Sequence, residues 1–597
     1  MLIGVIAALL FVLISTVRLG AQGMYYDELH QAAAAFVYQG KPAAMFAENT
    51  LAGIPILNMS YSGAIKTNVY GIYLALFDAS FSVVSWRLFG ILLVAAGMLL
   101  LALIAGRQIG AMGLFVFFLL LISDAFVVLA SRHDWGPIAL ALALRLLLIA
   151  TYIRGETRGE PPRSNSFWLG FLLCFSVFEK LSSVVLVPIV LIMMASNPRR
   201  RSRPHLMSFA KGGGVGSLLL VVANVVSLIK RGNLSSLSQV GSNRGGLSVS
   251  GFFEHLVSYF GLGNGHEVRG FILGQPPDLL GVNVERIGLL LLLIVVAGIA
   301  ASGWRRNRMF RMSGLMLVSY LVIALMLYLL PNGVWAHHWV IGTPFQYAAV
   351  ALVVSGLRNG SGNSSTSREA VLQSLPSSRL TVAFSLFLAV LVVARLVSLW
   401  SVEESLLRGE AGERWNPGFT RVGEILARKG DDAIVVVADW GIATQIHCLA
   451  NGRPGFVQEL FWRYESTGDI SSIDLMDEKK TIFVVTMTVP TGVRPDVTQK
   501  LWQDLDRLSE WMPGWEEVPA GQDFAEIEVV EVRKFVRTGS RSNSASGLLK
   551  LPSETTFGYG RYVKFLWGAP DRPSTGPLFG PHDVSERSDT YLYVPMH

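Results

Sequence analysis

Apolar runs of membrane-spanning length recur through the first two thirds of this chain, and no soluble fold can bury so many of them. They cover Leu2 to Val17, Val83 to Ala105, Met112 to Ala130, Pro137 to Ile153, Val215 to Ile229, Ile287 to Ala301, Gly314 to Leu330, Trp339 to Val354 and Leu380 to Trp400. A helix of about 20 apolar residues crosses the hydrocarbon layer. Composition agrees: of 597 residues 51% are hydrophobic and 16% charged, with a mean hydropathy of +0.46. The chain reads as a polytopic α-helical membrane protein. The first run has no basic flank and no small-residue cleavage pattern, so it reads as a transmembrane helix rather than a signal peptide.

A net charge of +7 invites an anionic partner such as nucleic acid, but its distribution argues against one. The densest clusters, Arg199-Arg200-Arg201-Ser202-Arg203 and Arg305-Arg306-Asn307-Arg308, sit in short loops between apolar runs, where basic residues set topology. Holding every basic loop on the cytoplasmic side requires the stretch Trp168 to Ser196, broken only by Glu179-Lys180, to be a hairpin of two short helices. The expected topology is then about eleven helices in the plasma (inner) membrane, with a cytoplasmic N-terminus and an extracytoplasmic C-terminal domain. Cys174 lies in an apolar run and Cys448 in the soluble part, which gives no disulfide framework.

On this topology the rare polar clusters all emerge on one face: Tyr25-Tyr26-Asp27-Glu28, Arg132-His133-Asp134-Trp135, Glu179-Lys180 and His337-His338. Ionisable groups at membrane depth are costly, so such convergence marks a functional site. Two adjacent carboxylates after the first helix, Asp27 and Glu28, suit a general base with an orienting or metal-binding partner; Asp27 equally suits a helix cap. Asp134 stands in a tight turn ahead of Pro137, where a cap is again the plain alternative. Lys66 and Lys180 can each hold a phosphate as a point charge, although Lys66 can also snorkel and Lys180 can pair with Glu179. His337 and His338 can donate to a phosphate oxygen or serve as interfacial belt residues. Adjacent histidines without a neighbouring carboxylate make a poor zinc site, and the sequence names no cofactor while leaving a divalent metal open.

An N-terminal helix leading directly into Tyr26-Asp27-Glu28-Leu29-His30 resembles the first-loop motif of the GT-C fold glycosyltransferases, in particular the protein O-mannosyltransferase and lipid A aminoarabinose transferase superfamily of prokaryotic type. The likeness covers residues 1 to about 400 and rests also on the long first loop, Asp134 in the second external turn, the short helix pair around Lys180, and His337-His338 ahead of Pro344-Phe345. It implies transfer of a sugar from a polyprenyl-phosphate donor to a lipid, glycan or protein acceptor on the extracytoplasmic face. Asp27 would be the base, Glu28 and Asp134 would shape the site, and Lys66, Lys180, His337 or His338 would meet the departing phosphate. The family's Lys-Pro-Pro element is replaced here by Ile65-Lys66-Thr67-Asn68. A membrane transporter and a non-catalytic envelope-assembly scaffold are the alternatives; the first would place its charges near the midplane.

Residues 401 to 537 carry soluble α/β patterning. Phe419, Val422, Ile425 and Leu426 mark a helix, Ala433 to Ala438 a buried strand, Ile442 to Leu449 a helix, Thr481 to Thr486 a second strand, Val497 to Trp511 a helix and Ile527 to Val532 a third strand. Residues 538 to 597 read as a Ser-rich linker and a tail without core periodicity.

Overall fold

Backbone groups in hydrocarbon must pair within their own segment, which leaves the helix as the element open to an isolated apolar run. The computed structural model of the chain is built accordingly. It describes residues 1–29, 31–41, 49–157, 160–232, 234, 248–261, 266–275, 279–305, 307–330, 336–360, 378–439, 441–461, 464, 481–488, 495–506 and 515–538. His30 and the segment from 539 onward lie outside the described residues.

Six described helices are long and apolar enough to cross a membrane, and the pair Arg203–Gly216 and Leu218–Arg231, bent by 48°, adds a seventh if it is one span. Helix α1 (Leu2–Ser15) is shorter. After it come α2 (Tyr26–Leu29), a 3-10 helix (Ala33–Gln39), the three-stranded antiparallel sheet β1 (Asn49–Leu51), β2 (Ile54–Met59) and β3 (Ser62–Gly63), and α3 (Ile65–Leu76). Helix α4 (Val83–Ile122) is interrupted at Gly110, whose φ of 77° is left-handed. A methyl group placed on Gly4 would meet both Ala102 and Phe118. A straight helix would hold those two residues about 24 Å apart, so α4 turns back on itself at Gly110, between the two apolar runs read from the sequence.

The returning arm continues through α5 (Ala125–His133) into α6 (Ile138–Thr157). Helices α7 (Arg163–Glu179) and α8 (Leu186–Ala195) follow, joined by Lys180 and a 3-10 turn at Leu181–Val185. Their outer ends meet: Arg200 pairs with Glu156 at 3.3 Å and donates to Asn165 at 2.9 Å. The chain on either side of Glu179-Lys180 therefore returns to one end of the bundle, as a hairpin requires. Its tip is stitched to the first loop, where the Leu181 N–H donates to the Tyr61 carbonyl at 2.9 Å.

The last apolar helix runs Ser378–Arg408. Beyond it a five-stranded sheet has the order β5-β4-β6-β8-β7, from β4 (Ala433–Val437), β5 (Val457–Glu459), β6 (Thr481–Met487), β7 (Trp515–Val518) and β8 (Val530–Arg537). Strand β4 is parallel to both its neighbours, and β8 antiparallel to both of its own. The expected helices occur at Pro417–Ala427, Ala443–Leu449 and Pro495–Asp506. The third expected strand begins three residues later, at Val530, because Gln522–Ala525 forms a short helix first. Strands β5 and β7 are short and only half-buried, so they lack the apolar signature that marks β4 and β6.

This α/β layer docks on the first loop. Gly23 donates its N–H to the Trp415 carbonyl at 2.6 Å, Met24 donates to the Thr420 hydroxyl at 3.3 Å, and Gln445 donates to the Met24 carbonyl at 2.5 Å. Farther out, Phe81 donates its N–H to Asn451 Oδ1 at 2.7 Å. The segment leading into Asp27 is thus clamped between the bundle and the soluble layer.

Candidate active site

The site is organised by the turn Asp134–Gly136 in the four residues between α5 and α6. Asp134 holds a φ of 46° and Gly136 a φ of 68°; the left-handed region suits glycine and tolerates aspartate better than most residues. The Asp134 carboxylate accepts the Ala139 N–H at 2.7 Å, satisfying a free donor at the start of α6, and pairs with Lys66 Nζ at 2.6 Å. It is both the cap and the ionic partner. Lys66, from the first turn of α3, also lies 3.8 Å from the Trp86 ring centroid, so its charge is shared between a carboxylate and an aromatic face.

Asp27 and Glu28 are separated by their neighbours. Glu28 receives two hydrogen bonds from Arg87, Nε at 2.8 Å and Nη2 at 2.9 Å. The remaining Arg87 protons go to the carbonyls of Leu19, Gln22 and Gly23 at 2.8 to 2.9 Å. Glu28 is therefore committed to anchoring the loop on α4. Asp27 accepts a hydrogen bond from Trp135 Nε1 at 3.1 Å, which ties it to the Asp134–Gly136 turn. Burial raises the Asp27 carboxyl above the ordinary aspartate range, while Trp135, Lys180 and Arg414 pull it back. A buried carboxylate tuned upward is a better proton acceptor than a solvated one.

Lys180, at the tip of the α7–α8 hairpin, donates to the Gly136 carbonyl. Its ammonium is pushed down to about 7, first by burial and then by the nearby Arg145, against the attraction of Asp134 and Asp27. It forms no ion pair with Glu179 among the described residues. The Glu179 carboxylate turns instead to Gly63, where an added Cβ would lie 2.8 Å from Oε2. His337 closes the far side. Its Nε2 would be 3.0 Å from a Cβ on Gly136, and its ring lies 4.7 Å from Trp135 and 4.1 Å from His338. Trp135 in turn stacks on Phe271 at 4.5 Å. No three His, Cys, Asp or Glu residues among the described residues gather to hold a metal ion.

All seven sequence-derived candidates are thus placed, and six of them are linked by direct contacts around one turn: Asp27 through Trp135, Lys66 through Asp134, Lys180 and His337 through Gly136, and His338 through His337. Glu28 stands one residue away on Arg87. Sequence reasoning did not single out Arg87, Arg145 or the donor role of Trp135. The two arginines had a signal, each being a charge within an apolar run.

No protein-family model matches the chain, and no curated protein matches it in sequence. Solved structures resemble it in three dimensions, among them two of ArnT from Cupriavidus metallidurans. The one bound to undecaprenyl phosphate aligns over 90% of this chain and 98% of its own with 13% identity and a TM-score of 0.52. The apo form aligns over 88% and 97% with 12% identity and a TM-score of 0.50. Likeness over nearly the whole of both chains at such low identity is a likeness of architecture: the chain shares the GT-C fold of ArnT.

Proposed function

We propose that the protein is an integral-membrane glycosyltransferase that moves a sugar from a polyprenyl-phosphate donor to an acceptor at the extracytoplasmic face. The observation that carries this reading is the meeting of Asp27, Asp134, Lys180 and His337, from four distant stretches of sequence, around the turn Asp134–Gly136. The undecaprenyl phosphate bound in the ArnT structure supports the choice of donor. The excess of arginine in the loops at the opposite end of the bundle supports the orientation. Residues 1–400 form the transferase bundle on this reading, and 401–537 the extracytoplasmic layer that covers it.

Asp27 removes the proton of an acceptor hydroxyl as its oxygen attacks the anomeric carbon. The bond from that carbon to the phosphate oxygen breaks, the electron pair leaves with polyprenyl phosphate, and the single in-line displacement inverts the configuration. Trp135 aims the Asp27 carboxylate. Glu28, locked on Arg87, fixes the backbone that carries it. Lys180, with His337 and His338 beside it, faces the leaving phosphate, where fixed donors lower the barrier as negative charge develops. Lys66 reaches the same region through Asp134 and sets that carboxylate in place.

The test is transfer by purified full-length protein in nanodiscs supplied with radiolabelled polyprenyl-phosphate sugars and an extract of envelope lipids. Wild type is expected to turn over at least one donor. Asp27→Asn, with an unchanged melting temperature, is expected to lose about two to four orders of magnitude, the range of general-base contributions. A folded Asp27→Asn protein that transfers at the wild-type rate would overturn the assignment of the base.

A further inference from the structure

Five arginines among the described residues are fully buried: Arg87, Arg132, Arg145, Arg200 and Arg395. A guanidinium does not give up its proton in a protein, so each charge needs compensation. Four have it. Arg87 has Glu28, Arg200 has Glu156 at 3.3 Å, and Arg395 has Asp124 at 3.1 Å and Glu285 at 3.3 Å. Arg132 donates to the carbonyls of Ser15, Val17 and Arg18 and to Gln22 Oε1.

Arg145 is the exception. Its one hydrogen bond among the described residues is a long one, 3.4 Å from Nη2 to the Ser183 hydroxyl, and no carboxylate lies within ion-pair distance of it among those residues. Ser183 belongs to the 3-10 turn that follows Lys180, and its N–H donates to the Lys180 carbonyl at 2.8 Å. Arg145 stands seven residues after Ile138 on α6, about two turns below the Asp134–Gly136 turn. A long side chain on a helix leans back toward the helix N-terminus, here toward that turn. Lys180 likewise has no carboxylate within ion-pair distance among the described residues, since Asp134 is taken by Lys66. Two buried cations that repel each other are therefore held together with no carboxylate at ion-pair distance from either among the described residues, Asp134 and Asp27 acting on Lys180 only from farther away.

We infer that Arg145 and Lys180 form one anion-binding floor for the phosphate of the polyprenyl carrier, with Arg145 as the deeper contact next to the lipid chain. The inference rests on the donor reading above and deepens it. A sugar phosphodiester carries one negative charge, and the departing polyprenyl phosphate, a monoester with a second ionisation near 6, carries close to two. A second cation that is matched only after the glycosidic bond breaks favours the transition state over the bound donor.

The experiment measures equilibrium binding of polyprenyl phosphate, polyprenol and inorganic phosphate to the full chain in nanodiscs by microscale thermophoresis. The proteins are wild type, Arg145→Gln, Arg145→Lys and Ser183→Asp. The last leaves Arg145 in place and gives it a carboxylate. Wild type is expected to prefer polyprenyl phosphate over polyprenol and to bind inorganic phosphate far more weakly. Arg145→Gln and Ser183→Asp are expected to lose about 10- to 100-fold in affinity for polyprenyl phosphate, the worth of a charged hydrogen bond, with polyprenol binding unchanged; Arg145→Lys should keep part of the preference. Retention of the full preference in both Arg145→Gln and a folded Ser183→Asp would overturn the inference and leave the donor reading standing. Absence of any preference in wild type would overturn both. Inorganic phosphate binding as tightly as polyprenyl phosphate, and lost in the same variants, would overturn the assignment to the carrier. A polyprenol affinity that fell in parallel would show Arg145 to be structural.

Discussion

Replacing Lys180 by methionine should make the resting protein more stable, and the gain should depend on pH in a defined way. The side chain is almost fully buried at 4% exposure, and its ammonium is held at about 7 against an ordinary 10.5. The groups that face it are Arg145 and Asp134 from the α6 side, Asp27 from the first loop and His337 beyond Gly136. Between about 7 and 10.5 the unfolded chain keeps a proton that the folded chain has lost, so stability climbs as pH rises through this window and is lost as pH falls toward 7. One pH unit of displacement corresponds to about 1.4 kcal/mol, so keeping the ammonium charged at pH 6 costs the folded state on the order of 5 kcal/mol. Loss of the hydrogen bond to the Gly136 carbonyl offsets about 1–2 kcal/mol of the gain on substitution. Lys180→Met is therefore expected to be more stable than wild type by about 3 kcal/mol at pH 6, with the difference closing as pH approaches 10. Denaturant unfolding of detergent-solubilised protein, followed by circular dichroism at pH 6, 8 and 10, measures it. A methionine variant that is less stable at pH 6, or a difference that stays constant across the range, would refute the claim that Lys180 is a buried cation whose burial outweighs the attraction of Asp134 and Asp27.

Trp135→Phe removes a hydrogen-bond donor to Asp27 while keeping the aromatic contact with Phe271; that hydrogen bond lowers the Asp27 carboxyl, so the acidic limb of the pH–rate profile is expected to move to higher pH, and an unmoved limb would separate Trp135 from the base. Arg87→Met leaves the buried Glu28 carboxylate and the carbonyls of Leu19, Gln22 and Gly23 without donors, an expected loss of about 3–5 kcal/mol in the same unfolding assay; a loss below about 1 kcal/mol would show that the loop is held by other contacts.

What could be read from the sequence and what could not follow from the same physics. Membrane spans were legible because hydrocarbon admits only a helix whose side chains are apolar, and hairpin turns because basic loops stay on one side. The turn at Asp134 was legible as well, since a charged residue at the end of an apolar run has few other reasons to be there. Strands β1 to β3 were not, being short and built partly of polar residues such as Asn49, Thr50 and Ser62. The pairings were out of reach altogether. Glu28 meets Arg87 across 59 residues and Lys66 meets Asp134 across 68, and nothing local announces either. The buried arginines make the limit plain. Arg145 and Arg395 look alike in sequence, each a lone charge within an apolar run. In the fold, Arg395 is answered by Asp124, Glu285 and the Tyr347 hydroxyl at 2.6 Å, contributed from three other parts of the chain, whereas among the described residues Arg145 is answered by a single serine at 3.4 Å. Periodicity finds where a charge enters the membrane; only the assembled bundle shows whether the protein brings a counter-charge to it, and that difference separates a brace between helices from a site left open for a phosphate.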